Sequence, residues 1–487
     1  MGVEIKGKAK ALIVGTGFSG ICAAIKLREI GIEDFLMIEK EDNMGGTWYV
    51  NRYPGAAVDV SSYLYCYSFE PYNWSRKYAM QDEIFAYTNH VIDKHKLREK
   101  TLLNTELVSA KYIEETGMWQ ATMKNGDVYE AKYVIGAQGI LVEPSYPKIE
   151  GMDSFKGTQF HSARWNEDYD VTSKRVAVIG TAASAIQVIP AIVDKVKHLT
   201  VFQRTPHWVT PRLDREFYGY EKLLLKVPLF RWLYREYLYW VNESRMLGFA
   251  KYPHLMKYGE KFAINYMKRN IKDPEMRKKL TPNFGFGCKR VLISSEYYKS
   301  LVKPNVTLEA DGIKAITEKG ILLPNGKEIE LDAIIYSTGY NVVNFIPFDL
   351  TGEDGADFRT VMERGLHAYM GSLVPKFPNL FITLGPNTGV GHTSALHLME
   401  SQVGMAMKII QKTEKHNWKS ASIKQEEETK FNDWVQEKLK GTIWVKGGCK
   451  SWYQDLDGKN RVIYPDYSFR FRKKALNPDF SKLKVNK

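Results

Sequence analysis

An α/β fold with two Rossmann-like dinucleotide-binding domains and a helical insertion is what this sequence predicts. Two strand-glycine-helix signatures carry the prediction, ALIVGTGFSGICAAIKL near the N-terminus and RVAVIGTAASAIQVIPAI further along. Between them lies FKGTQFHSARWN, with Phe155, Gly157, His161 and Trp165 in an F-x-G-x3-H-x3-W register. At 487 residues the chain has the length for about two to three domains with sizeable cores.

The first signature is a full G-x-G-x-x-G, with an apolar run Ala11 to Val14, then Gly15, Gly17, Ser19 and Gly20. The first glycine makes the tight turn and the second lets backbone approach a pyrophosphate. The third lets the helix pack close to the strand while its N-terminal N–H groups face the anion. FLMIEK follows as a second short strand ending in Glu39, at the interval where an acid accepts ribose hydroxyls. An acid there implies a ribose without a 2'-phosphate, hence FAD or NAD; a plain strand-turn-helix is the alternative.

The second signature departs from the pattern. Gly180 and Thr181 open it, but Ala182 stands where the second glycine belongs and Ala185 replaces the third, with Ser184 and Gln187 on the same segment. A methyl at the second position narrows the approach to a phosphate. The next strand, HLTVFQRTPHW, carries Arg204 and Thr205 where the first half carries Glu39. An arginine there accommodates a 2'-phosphate, so this half is expected to take NADPH; an ordinary solvated strand-end charge is the alternative.

Composition removes other classes. Hydrophobic content of 44% and charged content of 26% are those of a globular protein, and no run of about 18 uncharged apolar residues suggests a membrane span. MGVEIKGKAK leads into the first strand without an apolar secretory core, so a cytoplasmic location is expected. Cys22, Cys66, Cys288 and Cys449 are far apart and form no C-x-x-C, which argues against a dithiol redox centre and against a metal site. The net charge of +13 is spread along the chain rather than gathered in a nucleic-acid stripe. Its densest patch, FRFRKK around Arg470 to Lys474, reads as a solvated tail.

In order along the chain, residues 1–150 and 341–487 are expected to form an FAD-binding domain. Residues 151–211 and 286–340 form an NADPH-binding domain, and 212–285 a helical insertion. The passage EPSYPKIEG marks the first crossing. The insertion, with LLLKVPLFRWLYREYLYW, is expected to turn an apolar face over a substrate pocket; surface membrane attachment is the weaker alternative, because the stretch mixes charges without a clean basic face. Asn325-Gly326 predicts a hairpin, and Ala333 to Tyr336 a strand. FPNLFITLGPNTGVGHTSALHLMESQ then reads as strand, glycine turn and helix, with Asn387 and His392 as candidate flavin or substrate contacts.

With these strings in hand, the chain resembles the Baeyer-Villiger monooxygenases, FAD- and NADPH-dependent flavin monooxygenases. The resemblance rests on FKGTQFHSARWN, GGTWYVNRYPGAAVDVSSYLYCYSFE, VFQRTPHW, GCKRVLISSEYY and GGCKSWYQDLDGKNRVIYPDYSFRFR, and Asn166 and Ala182 depart from the family pattern. It implies that NADPH reduces FAD, that dioxygen then gives a C4a-peroxide, and that this peroxide converts a ketone to an ester or lactone. It also implies that Arg290 and Asp59 are catalytic, and that Lys289, Arg204 and Thr205 hold the 2'-phosphate. Gly45, Gly46, Thr47, Trp48 and Tyr65 would wrap the flavin. An anionic peroxide needs fixed positive charge in a water-poor site, which a guanidinium supplies. His161 would act as a hinge between the nucleotide domains. Oxidation of a sulfide or amine, and an NADPH oxidase that oxygenates nothing, stay open as alternatives.

Overall fold

The computed structural model describes residues 4–487 apart from 142, 343–345, 364 and 456; Met1, Gly2 and Val3 of the N-terminal stretch lie outside the described residues. The chain opens with β1 (Gly7–Val14), α1 (Phe18–Glu29) and β2 (Phe35–Ile38). α2 (Thr47–Val50) and α3 (Gln81–Lys94) follow, then β3 (Thr101–Leu102), β4 (Leu107–Ile113), β5 (Met118–Met123) and β6 (Val128–Gly136). Because Ala11 to Val14 is apolar at every position, β1 can be buried on both faces, and it pairs in parallel with β2 and β6 at the centre of the sheet. α1 is likewise apolar around most of its circumference, since one side packs on this sheet and another on the late helix Ala395–Lys415.

A second run begins with β7 (Thr158–His161), β8 (Arg175–Ile179), α4 (Ala185–Ile192), β9 (His198–Phe202) and β10 (Val209–Thr210). Four helices come next: α5 (Gly219–Lys226), α6 (Pro228–Ser244), α7 (Met256–Asn270) and α8 (Pro274–Leu280). Then follow β11 (Leu292–Ile293), α9 (Tyr297–Leu301), β12 (Val306–Glu309), β13 (Ala315–Ile316), β14 (Gly320–Leu322), β15 (Glu328–Glu330) and β16 (Ala333–Tyr336). The expected Asn325-Gly326 turn joins β14 to β15, with Gly326 at φ 86°. Gly326 N–H donates to the Leu323 carbonyl across it.

The two main sheets share one strand logic. The first runs β17-β4-β5-β6-β1-β2-β3, and the second, parallel throughout, runs β12-β9-β8-β16-β7. In β3-β2-β1-β6 and in β12-β9-β8-β16 alike, the strand before the glycine loop has the next two parallel strands on one side and a later parallel strand on the other. That is the Rossmann order, whose crevice opens where the order reverses. β17 (Asp349–Thr351), α10 (Phe358–Val361) and β18 (Leu380–Ile382) bring the chain back, β17 onto β4 and β18 onto β6. α11 (Ala395–Lys415), β19 (Ser420–Ile423), α12 (Gln425–Leu439), α13 (Ile443–Lys446), α14 (Ser468–Leu476) and β20 (Leu483–Asn486) complete it.

Two sequence expectations are corrected here. FRFRKK is no solvated tail: it lies in α14, which packs along α11 and buries Ser468, Phe471 and Ala475, because these three are three and four residues apart and share one helix face while Phe469 and the charges stay outside. The cysteines that are distant in sequence include a pair that meets. Cys288 and Cys449, 161 residues apart, form a disulfide with Cα atoms 6.1 Å apart, while Cys22 and Cys66 are free and buried. Sequence spacing carries no information on such a contact, since it arises from the return of the 447–453 segment against residues 285–290.

Candidate active site

Both glycine loops press against the strand end across their crevice. Gly15 has φ 100°, and a Cβ there would stand 2.7 Å from the Ala137 carbonyl oxygen after β6. Gly180 has φ 110°, and its Cβ would stand 2.4 Å from the Ser337 oxygen after β16. At the third position of the first loop, a Cβ on Gly20 would meet the Gly15 oxygen at 2.0 Å. In the second loop Ala185 is tolerated there and fully buried, and Ile186 N–H starts the helix on the Ala182 carbonyl at 3.1 Å. Thr181 Oγ1 donates to the Thr205 carbonyl at 3.3 Å, so Thr205 is held through its backbone, while Ser184 opens α4 without a side-chain cap.

The buried Glu39 at the end of β2 accepts from Thr16 N–H at 3.0 Å and Thr16 Oγ1 at 2.7 Å, and from Glu41 N–H at 3.1 Å. It thus stands beside the first glycine loop. Ser19 is buried on the first turn of α1. Gly46, at φ 54°, closes on the same loop: its Cβ would lie 2.7 Å from the Gly17 Cα. Thr47 and Trp48 begin α2 directly after it, and Trp48 Nε1 donates to Tyr65 OH at 3.1 Å with the rings edge to face. Burial pushes the Tyr65 phenol up to about 12, so it stays neutral.

The two halves meet through the segment before Asp59. Tyr53 OH donates to Gln187 Oε1 at 2.9 Å and Gln187 Nε2 donates to the Ala57 carbonyl at 3.0 Å, pinning the segment to α4. Asp59 then takes Arg290 in a two-point contact, Nε to Oδ2 at 2.7 Å and Nη2 to Oδ1 at 2.6 Å. The residues are 231 apart in sequence, and 45% of the Arg290 and 32% of the Asp59 side-chain surface is open. Desolvation alone would raise the Asp59 carboxyl, but the Arg290 charge and hydrogen bonds, its own backbone N–H and Arg212 outweigh it and hold it below the usual value. The Asp59 charge, working against desolvation, holds Arg290 protonated.

Next to Arg290, Lys289 lies close enough to Arg204 that desolvation first, and the Arg204 charge second, lower its pKa. His207 is lowered to about 4 by burial and then by the Lys289 charge. Neither Lys289 nor Arg204 has an ion-pair partner among the described residues. A cation pair with a neutral histidine and no carboxylate suits a multiply charged anion.

Three contacts escaped the sequence reading. Tyr453 brings its phenol to the Arg290 backbone, Arg212 adds a second positive charge near Asp59, and the disulfide ties the Cys288 end of the Arg290 segment to the tail that carries Tyr453. The tail motif GGCKSWYQ was visible; its contact was not. Conversely, the structure gives Asn387 and His392 internal roles. Asn387 Nδ2 donates to the Asn460 and Ile463 carbonyls, and His392 Nε2 meets Glu243 Oε1 at 3.2 Å with both side chains buried. His161 ends β7, accepts from Ala163 N–H at 3.0 Å through Nδ1, and lies against the Tyr146 and Tyr340 rings; burial lowers it to about 4. A surface hollow of about 530 Å³ between α1 and α11, lined by Lys10, Gly31, Lys408 and Phe480, includes none of these residues.

A family described as Pyridine nucleotide-disulphide oxidoreductase matches residues 12–217. A Baeyer-Villiger monooxygenase of Pseudomonas aeruginosa is 42% identical over 95% of this chain and 89% of its own length. The chain belongs to the Baeyer-Villiger monooxygenases. Among solved structures, cyclohexanone monooxygenase from Rhodococcus sp. Phi1 bound to NADP+ superposes with a TM-score of 0.90 at 28% identity, over 99% of both chains. OTEMO in complex with FAD and NADP gives 0.87 at 26% identity, over 98% of this chain and 99% of that one. In a Baeyer-Villiger monooxygenase of this architecture, the paired Rossmann sheets expected from the two glycine signatures are the fold itself.

Proposed function

We propose that this chain inserts one atom of dioxygen beside a ketone carbonyl, with FAD and NADPH as cofactors and Arg290 and Asp59 as the catalytic pair. Ketone, O2, NADPH and a proton become ester or lactone, NADP+ and water. The observation that carries the reading is the two-point Arg290–Asp59 contact, adjacent in sequence to Lys289 and its Arg204 partner. FAD, when bound, supplies the activation of dioxygen with electrons drawn from NADPH.

The residues present fit both groups. Gly15, Gly17 and Gly46 form a cradle that Cβ atoms would fill, leaving backbone N–H groups of Gly17, Ser19 and Gly20 for a pyrophosphate and Glu39 for a ribose. Thr47, Trp48 and Tyr65 would line the flavin. Gly180, Thr181, Ser184 and Gln187 would receive the NADPH pyrophosphate, and Arg204, Thr205 and Lys289 its 2'-phosphate. On this assignment 1–150 with 341–487 is the FAD-binding domain, 151–211 with 286–340 the NADPH-binding domain, and 212–285 the insertion.

Arg290 contributes through what Asp59 leaves unused. A guanidinium has five N–H donors in a rigid fork. Asp59 occupies Nε–H and one Nη2 hydrogen, so both Nη1 hydrogens stay available for an oxygen that gains negative charge during reaction. The carboxylate fixes the plane of the fork and keeps its charge, and Tyr453 anchors the backbone beneath it. The test is product analysis: purified chain with FAD, NADPH, oxygen and a panel of cyclic and linear ketones, sulfides and amines should yield esters or lactones from the ketones. Sulfoxide or N-oxide as the only product over a broad panel, or NADPH consumption with no oxygenated product, would sink the proposal.

A further inference from the structure

α6 turns a second apolar face outward. Its inward side packs Tyr234 and Leu238 against the core and also carries the charged and hydrogen-bonding groups. Arg235 donates to the Tyr63 and Cys66 carbonyls, and Glu243, 1% exposed, takes His392, Ser468 N–H and Ser468 Oγ, while Tyr239 OH meets Ser468 Oγ at 2.9 Å. The outward arc holds Leu229, Phe230, Leu233, Tyr237, Trp240 and Val241, spaced at three and four residues and all exposed, Leu233 by 47%, Tyr237 by 62% and Trp240 by 53%. No Asp, Glu, Lys or Arg interrupts that arc. α5, packed beside α6, continues the surface with exposed Tyr220, Leu223 and Leu224, and Phe469 of α14 extends it against Trp240. A run of this size is not left over from folding: monomeric proteins rarely expose contiguous apolar patches beyond a few hundred Å² without a partner.

Charge says which partner. Residues 212–285 hold sixteen Lys and Arg against eight Asp and Glu, which is most of the net charge of +13. Lys222 and Lys226 stand exposed between the apolar residues of α5, and Lys251, Lys257 and Lys261 are exposed beyond α6. A second copy would bring like charge against like. An anionic surface with an apolar interior matches both features, and Trp and Tyr belong at the boundary between the two. No helix of the described residues is long and apolar enough to cross a membrane. We infer that the α5–α6 hairpin lays its outward face into the interfacial layer of a bilayer rich in anionic phospholipid, so that the enzyme is a peripheral membrane protein. The mixed charges that argue in the sequence against attachment are sorted by the fold: they lie on the inner face and flanks of α6, leaving the outer arc clean.

Vesicle flotation with the full chain tests this. Protein should float with vesicles of equimolar phosphatidylcholine and phosphatidylglycerol at least tenfold more than with phosphatidylcholine alone, and added salt should reduce the difference. Combined Leu233→Ser, Tyr237→Ser and Trp240→Ser should abolish flotation with the circular dichroism spectrum and flavin content unchanged. Lys222→Glu with Lys226→Glu should weaken it on the anionic vesicles alone. Wild-type protein that stays in the aqueous fraction with both vesicles overturns the inference, as does a triple variant that still floats. So does light scattering that shows a wild-type dimer and a monomeric triple variant, which would assign the face to a second copy.

Discussion

Replacing Asp59 with Ala while leaving Arg290 in place is expected to slow ester formation about 5- to 30-fold. Two hydrogen bonds of 2.7 and 2.6 Å orient the guanidinium. A hydrogen bond to a charged group contributes about 1.5–3 kcal/mol. With 45% and 32% of the two side chains open to solvent, the worth of the pair is discounted to about 1–2 kcal/mol. At about 1.36 kcal/mol per factor of ten, that is the stated range. Arg290→Ala removes the donor itself and is expected to cost about 10²–10³ in kcat, the usual loss for a directed donor to a developing oxyanion. If Asp59 acts through Arg290, adding Asp59→Ala to Arg290→Ala costs nothing more. The assay is the initial rate of ester formation by gas chromatography for wild type, both single variants and the double variant, with NADPH oxidation followed alongside. A double variant whose defect is the product of the two single defects would refute the positioning role. Ester formation at the wild-type rate in Arg290→Ala would refute the catalytic assignment.

Lys289→Ala and Arg204→Ala should each raise KM for NADPH about 10- to 100-fold and leave KM for NADH nearly unchanged; equal effects on both coenzymes would remove the 2'-phosphate assignment. His161, lowered from 6.5 to about 4 by folding, contributes roughly 3 kcal/mol of stability that is present above pH 6.5 and lost as pH falls through 4. Urea titrations at pH 7 and pH 5 should therefore show a smaller drop for His161→Asn than for wild type, and equal drops would contradict the burial argument. Thiol titration of the denatured, unreduced protein should find Cys22 and Cys66, with Cys288 and Cys449 appearing after reduction; four thiols without reductant would exclude the bond. Gly15→Ala, whose Cβ would meet a carbonyl oxygen at 2.7 Å, should yield protein with little bound flavin and a lowered Tm.

Much of the fold could be read from local pattern. The apolar runs of β1, β8 and β16 and the glycines after β1 and β8 announce themselves because a strand buried on both faces must be apolar throughout, and because a turn at φ near 100° excludes most other residues. Both glycine loops were legible on those grounds, and the places of Glu39 and Arg204 just after β2 and β9 followed from the short apolar strands before them. Arg290 and Asp59 were reached through motif resemblance, since nothing in the spacing of residues 231 apart says that they touch.

What local pattern could not supply depends on which surfaces the folded chain brings together. The Cys288–Cys449 bond and the Tyr453 contact exist because the 447–453 segment returns against residues 285–290, and chain separation of this order is silent about such meetings. FRFRKK reads as solvated until α11 offers its phenylalanine a groove. The same holds most sharply for α6, where one amphipathic pattern is compatible with either face turned inward. A helical period specifies two faces but not which of them meets protein, and Arg235, Glu243, His392 and Ser468 settle that through hydrogen bonds too long-range in sequence to foresee.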